Sequence, residues 1–444
     1  MATYVPLIKA ILSLSQAIRA VSRLSGHGSN ALWCALIQGH CMMVLSFAPC
    51  SLSPILSYLC SINQVTTTTL HIFNPDHDLV LAAGNDHFTP PKAARDLYAD
   101  LGFLPALWAK AGDLVLVADM DGAHERLRHI KGRTKGVLLV DRDTLQRAFA
   151  SGTIAPEQLD FAPWGWDKNV KELLVGFGVS EDVLPSDRWL EDVKTISSRQ
   201  WMSHNVLPEL TATLNNLYPN KFVGTSFVVQ SMAQLHTLLQ EHPFIVVKAP
   251  WSSSGRGIRY IENKPDPSTE GWCANTIEKQ GCITLEPYYN KVRDFGMEFN
   301  ANADGSIDYL GLSIFKTSKR TYTGSLLATE DTKLEYLSQY IDVSMLKAVS
   351  EAIKTMLSAL LLNKYVGPLG IDMMLVKQEG TNNLAIHPCV EINLRRTMGH
   401  VALSLSPSPL EPQRLMSIDH SRGAYHLRLH TLNDGLLNTS IARI

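Results

Sequence analysis

The sequence of 444 residues contains no CxxC pair, and none of its seven cysteines is spaced from a histidine as in a zinc site. These absences favour a reduced setting over a disulfide scaffold, so we expect a cytoplasmic protein. The net charge is −2, so the chain lacks the positive excess of a general nucleic-acid binder. Its hydrophobic content of 45% is ordinary, and its length allows two or three domains.

Charge is also missing locally, because no Asp, Glu, Lys or Arg occurs from Leu24 to Pro75. Residues 31–49 resemble a membrane span in composition, but polar residues such as Gln38 interrupt them. A signal peptide does not fit either, because its apolar core would lie nearer the start. We therefore expect residues 1–66 to be a poorly ordered or non-native extension, with Val65 as an alternative start.

Residues 67–189 contain short apolar runs that alternate with helical patterns, the first three runs being 70–73, 114–118 and 137–140. This alternation predicts a parallel, Rossmann-like α/β layer. No G-x-G-x-x-G follows the first run, so the sequence shows no dinucleotide-binding fingerprint. Near residues 185–187 the pattern changes to one long amphipathic helix, which we take as the domain boundary.

Two polar segments of this domain are candidate contact sites. The first strand runs into Asn74, Pro75, Asp76, His77 and Asp78, a sequence typical of a turn. Ligands collect at the carboxyl ends of parallel strands, so this turn is a candidate substrate contact, and a simple helix-capping turn is the alternative. The second segment carries Trp164 and Trp166, which indicate either a contact surface or a loop packed on the sheet.

The next part of the sequence places a lysine before a loop rich in glycine and serine. A buried-looking strand ends at Lys248, and a returning strand follows over residues 258–261. Backbone N–H groups of such a loop can surround a polyphosphate, while the lysine contacts phosphate oxygens; an ordinary surface hairpin is the alternative. The loop is neither a Walker A motif nor a protein-kinase loop. Its candidate phosphate-binding residues are Ser252, Ser253, Ser254, Gly255, Arg256 and Gly257.

Further along, a strand over residues 282–285 leads to Glu286, whose carboxylate is a candidate acceptor for the adenine amino group or the ribose. Lys316, Lys319 and Arg320 cluster at the end of a later strand. This basic trio indicates either a solvated strand end or a site for an anionic substrate, and we favour the second. Apolar residues at helical spacing over residues 343–362 predict a core helix.

The most informative stretch is residues 367–396, where two apolar runs flank a loop with glycine and asparagine and predict an antiparallel hairpin. If the turn is centred between Thr381 and Asn382, Asp372 lies opposite Glu391. Alternation along the strand places Glu391, Asn393 and Arg395 on one face. Facing carboxylates repel unless a cation lies between them, and Mg²⁺ prefers such oxygen ligands. A solvated sheet face is the alternative.

In order and spacing, the strand-end lysine, the glycine- and serine-rich loop, the strand ending in Glu-Pro, and the motifs GPLGID and VEINLRR resemble the ATP-grasp superfamily over about residues 190–420. The resemblance implies a two-lobed ATP-grasp domain, with a small lobe over residues 190–285 and a large lobe over residues 286–420. It also implies a preceding α/β domain over residues 67–189 and leaves residues 421–444 as a tail.

The resemblance also implies roles for single residues. Lys248 and Arg199 would contact phosphates, residues 252–257 would form the phosphate flap, and Glu286 would contact adenine and ribose. Asp372, Glu391 and Asn393 would bind Mg²⁺ or Mn²⁺. Arg395 would steady the transferred phosphoryl group, and with Lys248 and Arg320 it makes up the expected catalytic set.

The activity implied is an ATP-dependent ligase that joins a carboxylate to an amine or thiol through an acyl phosphate. No protein nucleophile is needed, and no Ser/His or Cys/His constellation is evident. The expected partners are small-molecule carboxylate and amine substrates, with neither nucleic acid nor membrane and with a homodimer left open. The alternatives are a non-catalytic nucleotide-binding module of the same fold and a small-molecule kinase, which would need a general base.

Overall fold

The computed structural model describes residues 67–84, 88–128, 130, 136–252, 257–318, 321–378, 380 and 383–432. Several sequence predictions lie outside these ranges: the extension over residues 1–66, the flap residues Ser253, Ser254, Gly255 and Arg256, the basic residues Lys319 and Arg320, and residues 433–444 of the tail. They stay predictions.

The first sheet has four parallel strands in the order β3-β2-β1-β4, which confirms the predicted parallel layer. Leu70 and Ile72 pack in one hydrophobic cluster and Phe73 and Val115 in another, so both faces of the sheet are covered, as a parallel sheet requires. The strands are β1 (Thr68–Ile72), β2 (Leu114–Leu116), β3 (Leu138–Val140) and β4 (Leu159–Pro163). The helices are α1 (His77–Ala83), α2 (Lys92–Leu101), α3 (Met120–Arg128), α4 (Arg142–Ala150) and α5 (Lys168–Gly176).

Three helices follow where the sequence predicted one long helix: α6 (Asp187–Ile196), α7 (Arg199–Asn205) and α8 (Leu207–Leu217). The break has a local cause, because the Ser198 hydroxyl accepts a hydrogen bond from the Trp201 backbone N–H and so starts a new helix. The apolar residues of these helices, such as Val193 and Leu210, pack in the core of the large sheet described below rather than in that of the small lobe.

The small lobe has a four-stranded antiparallel sheet in the order β5-β8-β6-β7. It has its own hydrophobic core, which includes Ile245 and Val247 from the strands and Leu235 and Cys273 from the helices. The strands are β5 (Phe227–Val229), β6 (Phe244–Lys248), β7 (Ile258–Glu262) and β8 (Ile283–Pro287), and the helices are α9 (Met232–Glu241) and α10 (Pro267–Gln280).

The large lobe is built on a seven-stranded sheet in the order β13-β12-β9-β10-β11-β14-β15. Alternate residues such as Phe295, Phe299 and Ile371 lie in the main core with α12, which leaves the opposite face for polar residues. The strands are β9 (Asn290–Ala301), β10 (Ile307–Ser318), β11 (Thr321–Leu327), β12 (Gly367–Lys377), β13 (Leu384–Asn393), β14 (Arg414–Ser421) and β15 (Ala424–Thr431). The helices are α11 (Glu330–Ser338), α12 (Val343–Leu361) and α13 (Met398–Leu405).

The end of the described chain differs from the predicted tail over residues 421–444. Residues 424–431 form β15, which pairs with β14 along its whole length. The sequence carries the signal for this strand, because Tyr425, Leu427 and Leu429 alternate with more polar residues and pack on a hydrophobic cluster.

The described chain therefore contains a parallel α/β layer followed by a small and a large antiparallel lobe, which is the predicted fold class and the order of elements that the ATP-grasp resemblance implied. Within the described residues, no helix combines the length and the apolar character needed to cross a bilayer.

Candidate active site

The predicted hairpin between β12 and β13 is present, and Asp372 pairs directly with Glu391. Asn393 pairs with Gly370 in the same ladder, two positions beyond Glu391. Because directly opposite residues and every second residue share a face of a sheet, Asp372, Glu391 and Asn393 lie on one face, as predicted.

The turn itself is centred one residue earlier than predicted. Nearer the turn, Met374 pairs with His387, and an irregularity separates this pair from that of Asp372 and Glu391. From Asp372 to Met374 the chain of β12 advances two positions, whereas from His387 to Glu391 the chain of β13 advances four. The extra residues therefore form a bulge in β13. The bulge offsets the shifted turn, and the two acids therefore face each other.

Asp372 lies in an environment that opposes its negative charge. Burial raises the pKa of its carboxyl well above the usual range, and the facing charge of Glu391 raises it further. No hydrogen bond or ion pair to its side chain is formed by the residues that the structure describes. Gly296 leaves room beside it, because a Cβ there would lie 3.5 Å from Asp372 Oδ1. A bound cation would relieve this arrangement.

The donor set of this hairpin fits Mg²⁺ in particular. Mg²⁺ commonly takes one or two carboxylates together with phosphate oxygens and water, rather than a complete cage of protein ligands. Asp372 and Glu391 supply two carboxylates, and Asn393, which is 7% exposed, supplies a further oxygen. No group of three or more His, Cys, Asp or Glu side chains arranged to hold a metal occurs within the described residues.

Arg199 connects the small lobe to the acid pair. Its side chain is 5% exposed and donates from Nη2 to Glu391 Oε1 at 2.7 Å. From Nη1 it donates to the Ala249 carbonyl at 2.7 Å and to Ser252 Oγ at 2.9 Å. A guanidinium held between a candidate metal ligand and the start of the flap is placed to contact phosphate oxygens. The structure therefore places Arg199 beside Glu391 and the start of the flap.

The two described ends of the predicted flap, Ser252 and Gly257, lie against each other. A Cβ at position 257 would overlap the Ser252 side chain, so only glycine fits there without a shift. The Ala249 N–H donates to the Gly257 carbonyl at 2.9 Å, which closes the base of the loop. The loop thus begins and ends at the site that Arg199 reaches.

Lys248 and Glu286 form a buried ion pair, with 2.6 Å between Lys248 Nζ and Glu286 Oε1 and side chains that are 6% and 3% exposed. The pair lies close to the hairpin, because its charges act on Cys389 together with those of Asp372 and Glu391. Burial raises the pKa of the Cys389 thiol, and the surrounding acids add to that shift. The lysine predicted to contact phosphate therefore lies near the acids predicted to bind metal, and we call the region between them the cleft.

Arg395 reaches the parallel domain instead of projecting freely into the cleft. Its Nε and Nη2 donate to the two carboxylate oxygens of Asp78 at 2.9 and 2.7 Å, a bidentate ion pair. Burial works to raise the pKa of Asp78, but the Arg395 charge outweighs it, and the pKa is lowered. Burial likewise opposes the charge of Arg395, and Asp78, Glu391 and Asp372 together raise its pKa. The guanidinium therefore lies between Asp78 and the acid pair.

The turn that carries Asp78 is fixed by a network of buried polar side chains. Asn74 donates from Nδ2 to the Gly165 carbonyl at 2.8 Å and to Asp167 Oδ2 at 2.9 Å. His77 Nδ1 lies 2.9 Å from the same Asp167 oxygen, and Asp167 caps α5 through its other oxygen. Thus, the polar turn identified in the sequence contributes one residue, Asp78, to the site, while Asn74 and His77 hold the turn in place.

Trp164 and Trp166, which the sequence left between contact and packing, both pack on the parallel sheet. Trp164 is 7% exposed, and its ring meets that of Phe73 edge to face at 5.0 Å. Trp166 packs against the cluster on the other face. The packing interpretation is the one that the structure supports.

His387 is a cleft residue that the sequence analysis missed. It is completely buried, and neither ring nitrogen has a hydrogen-bond partner within the described chain. Burial lowers its pKa to about 4, and the charges of Glu286 and Lys248 also act on it, which places it near that ion pair. Its spacing of four from Glu391 on the same strand was the signal that could have identified it.

No protein-family model and no curated protein matches this chain. Among solved structures, N5-carboxyaminoimidazole synthetase from Staphylococcus aureus complexed with ADP is 11% identical, with 85% of this chain and 96% of that chain covered and a TM-score of 0.45. An ADP complex of N5-carboxyaminoimidazole ribonucleotide synthetase is 14% identical, with 85% and 94% covered and a TM-score of 0.46. D-cycloserine synthetase is 16% identical, with 66% and 96% covered and a TM-score of 0.34. Because these identities and TM-scores are low, they assign no substrate or activity to this chain.

Proposed function

We propose that the protein is an ATP- and Mg²⁺-dependent ligase that joins a small-molecule carboxylate to an amine, or to a thiol, through an acyl phosphate. The observation that carries this proposal is the facing pair of Asp372 and Glu391. Among the described residues Asp372 has no cationic partner of its own, and burial together with the facing charge of Glu391 opposes its ionised form. Two carboxylates held in this way reduce stability unless a cation lies between them, and the ion pair of Glu391 with Arg199 compensates only Glu391. Their position beside Lys248, Arg199 and Arg395 supports a cation that arrives with a polyphosphate.

In this proposal, Asp372, Glu391 and Asn393 hold the metal, and Lys248, Arg199 and the flap hold the phosphates. When bound, MgATP supplies the phosphoryl group that activates the substrate carboxylate. Arg199 exchanges its single hydrogen bond to Glu391 for phosphate oxygens, because a guanidinium binds phosphate as well as carboxylate oxygens. Glu286 holds the Lys248 ammonium group in its buried position through their hydrogen bond of 2.6 Å.

Arg395 is the residue that stabilises charge on the transferred group. Donors that are already fixed before the reaction lower the barrier without reorganising, and the ion pair with Asp78 fixes this guanidinium. Asp78 uses Nε and one N–H of Nη2, and Nη1 donates to the Arg396 carbonyl at 3.1 Å. The second N–H groups of Nη1 and of Nη2 are therefore the donors that meet the phosphoryl oxygens. Burial of the cleft strengthens each of these interactions, because the local dielectric is low.

A non-catalytic nucleotide-binding module is the alternative, and Asp372 argues against it. A chain that only bound the nucleoside part would gain stability by replacing this acid, since the charge is opposed by burial and by Glu391. Retention of an unfavourable acid together with Asn393 is typical of a site under functional constraint.

The proposal is tested by measuring Mg²⁺-dependent ADP release from the purified full chain with pools of carboxylates and amines, with hydroxylamine added to trap an acyl phosphate. We expect one pool to stimulate release and Glu391→Ala to reduce the stimulated rate more than about 100-fold, since loss of even an outer-shell partner of a metal costs 10- to 100-fold. Glu351→Ala removes an exposed acid on α12 and is the matched control.

Two results would count against the proposal. If Glu391→Ala turns over as fast as the wild type, the metal assignment is wrong. If ATP binds but no pool of carboxylates with amines or thiols stimulates ADP release, the nucleotide-binding module becomes the better description.

A further inference from the structure

Arg395 and Arg396 are neighbours in the sequence, but their side chains have different surroundings. Arg395 is paired with Asp78, whereas the guanidinium carbon of Arg396 lies 4.6 Å from the centroid of the Trp108 ring. Trp108 directly follows a short 3₁₀-helix of the parallel domain, Leu104–Leu107. The second arginine therefore has one face covered by an indole and no bidentate acid.

Arg396 has no anionic partner in the part of the chain that the structure describes. Burial lowers its pKa to about 10, and the phenol of Tyr365 opposes this shift. Burial raises the pKa of that phenol, so it is uncharged at neutral pH. By exposed area Arg396 is partly buried, and a partly buried cation without an anionic partner is less favourable than one in water. A bound anion would compensate it. An indole face compensates only part of that cost.

Trp108 adds a second donor that lacks an acceptor. Its indole Nε1 is buried, and within the described residues it has no hydrogen-bond partner. Buried polar groups without partners are rare in folded proteins, and a bound ligand or water that accepts a hydrogen bond is a common explanation. Arg396 and Trp108 are stacked on each other, and each has hydrogen-bond donors without an acceptor among the described residues.

The position of this pair is fixed at the carboxyl edge of the parallel sheet. The Arg396 backbone N–H donates to the Trp164 carbonyl at 2.8 Å, and the Trp164 N–H donates to the carbonyl of Ile72, the last residue of β1, at 2.7 Å. Ligands of open α/β sheets bind outside this edge. A group bound here would contact Arg396, whose neighbour in the sequence, Arg395, faces the acid pair.

We propose that Arg396 and the Trp108 N–H bind an oxyanion, a carboxylate or a phosphate, of the small-molecule substrate. This inference rests on the proposed ligase function, which it deepens by giving the substrate an anionic group at the parallel domain. Arg396 supplies the charge and Trp108 supplies both the stacking surface and one directed hydrogen bond. The substrate class is therefore a molecule with an anionic group in addition to the group that reacts.

The test titrates the purified full chain with inorganic phosphate and, separately, with succinate, by calorimetry without ATP or Mg²⁺. We expect saturable binding of at least one probe. Arg396→Met should weaken it at least tenfold, because a hydrogen bond to a charged group is worth about 1.5–3 kcal/mol. Trp108→Phe, which keeps a ring but removes the N–H, should weaken it about fivefold, in line with a neutral hydrogen bond of about 1 kcal/mol. The probe whose affinity falls more identifies the oxyanion as phosphate or carboxylate.

Arg259→Met is the matched control, because Arg259 also lies over an indole, with its guanidinium carbon 4.5 Å from the Trp272 centroid in the small lobe. It should bind both probes as the wild type does, and Arg396→Lys should recover part of the lost affinity. Arg396→Met should remain folded with an unchanged or higher midpoint of thermal unfolding, since an uncompensated cation is removed.

Three outcomes would overturn the inference: no saturable binding of either probe to the wild type, equal binding by Arg396→Met, or unfolding of Arg396→Met, which would reveal a structural cation. These titrations contain no nucleotide, so their failure is distinct from a failure of the turnover test with Glu391→Ala.

Discussion

Two groups of buried or partly buried polar side chains lie over the same face of the seven-stranded sheet, and they differ in whether their polar atoms have partners. Glu298, Thr397 and His400 form the first group, which we call the Glu298 cluster: Glu298 Oε2 accepts from Thr397 Oγ1 at 2.8 Å and lies 3.0 Å from His400 Nδ1. Asp372 and His387 belong to the second, and no side-chain partner for either occurs within the described residues.

The difference separates residues that serve the fold from residues that serve a ligand. The Glu298 cluster also starts α13, because Thr397 Oγ1 accepts from the Gly399 and His400 backbone N–H groups. Each buried polar group without a partner lowers the free energy of unfolding by roughly 1–3 kcal/mol. The protein would therefore be more stable if these cleft residues had partners or were replaced by apolar ones. Such a local cost is typical of a functional site. The comparison leads to four predictions.

The largest effect is expected from Asp372→Asn. We expect it to lower the stimulated ADP release about 1,000-fold, equivalent to about 4 kcal/mol of transition-state stabilisation, because a metal ligand is lost. Without Mg²⁺ the same variant should be more stable than the wild type, because the opposed charge is removed. Turnover and urea unfolding in EDTA measure the two effects, and Asp308→Asn, an exposed acid on β10, is the control. Retained turnover together with lower stability would place Asp372 with the structural residues.

The opposite behaviour is expected at the Glu298 cluster. Glu298→Ala leaves Thr397 Oγ1 without its charged acceptor and opens a cavity beside His400, so we expect the free energy of unfolding to fall by about 3–4 kcal/mol. Urea unfolding of the metal-free protein measures this change. If this variant is as stable as the wild type but has lost turnover, the assignment of Glu298 to the structural group is wrong.

Local patterns in the sequence were sufficient for the acid pair but not for its partners. Alternation along β12 and β13 and the approximate symmetry of their turn predicted that Asp372 faces Glu391, although a shifted turn and a bulge were both missed. The contacts of Arg199 with Glu391 and of Arg395 with Asp78 join residues 192 and 317 positions apart. No strand or helix period links such positions, so only the packing of the lobes determines these pairs.

Two errors of the sequence analysis were avoidable, because the signals are local. Ser198, followed by a new helical pattern, marks the start of α7, and Pro208 marks the first turn of α8, so the long helix could have been divided. The alternating residues of β15 could likewise have been read as a strand. The missing partner of Arg396 had no such signal, because a lack of neighbours becomes visible only in the folded chain.

His387 should make the stability of the protein depend on pH. Its folded pKa of about 4 lies below its unfolded value of 6.5, so the unfolded chain binds the proton first as the pH falls. Stability contributed by the neutral ring is therefore complete above pH 6.5 and is lost progressively down to about pH 4. Over this window we expect the wild type to lose roughly 3 kcal/mol more than His387→Leu, at 1.36 kcal/mol per pKa unit. Urea unfolding at several pH values measures the difference, and parallel curves for the two proteins would show that His387 is charged or paired in the fold.

Arg395 has one property of each group, because it faces the cleft like Asp372 and has a partner in the chain like Glu298. If Asp78 is a positioning residue, Asp78→Asn should lower the stimulated turnover number about tenfold, the lower end of the range for outer-shell partners, with little change in KM. Asp78→Glu should recover part of the rate, since it restores the charge that orients the guanidinium. Asp96→Asn, which removes an ion pair on the exposed surface of the same domain, should leave both constants unchanged. A purely structural role for Asp78 would instead lower stability while the turnover number of the folded fraction stayed at the wild-type value, and Arg395 would then belong with Glu298 rather than with Asp372.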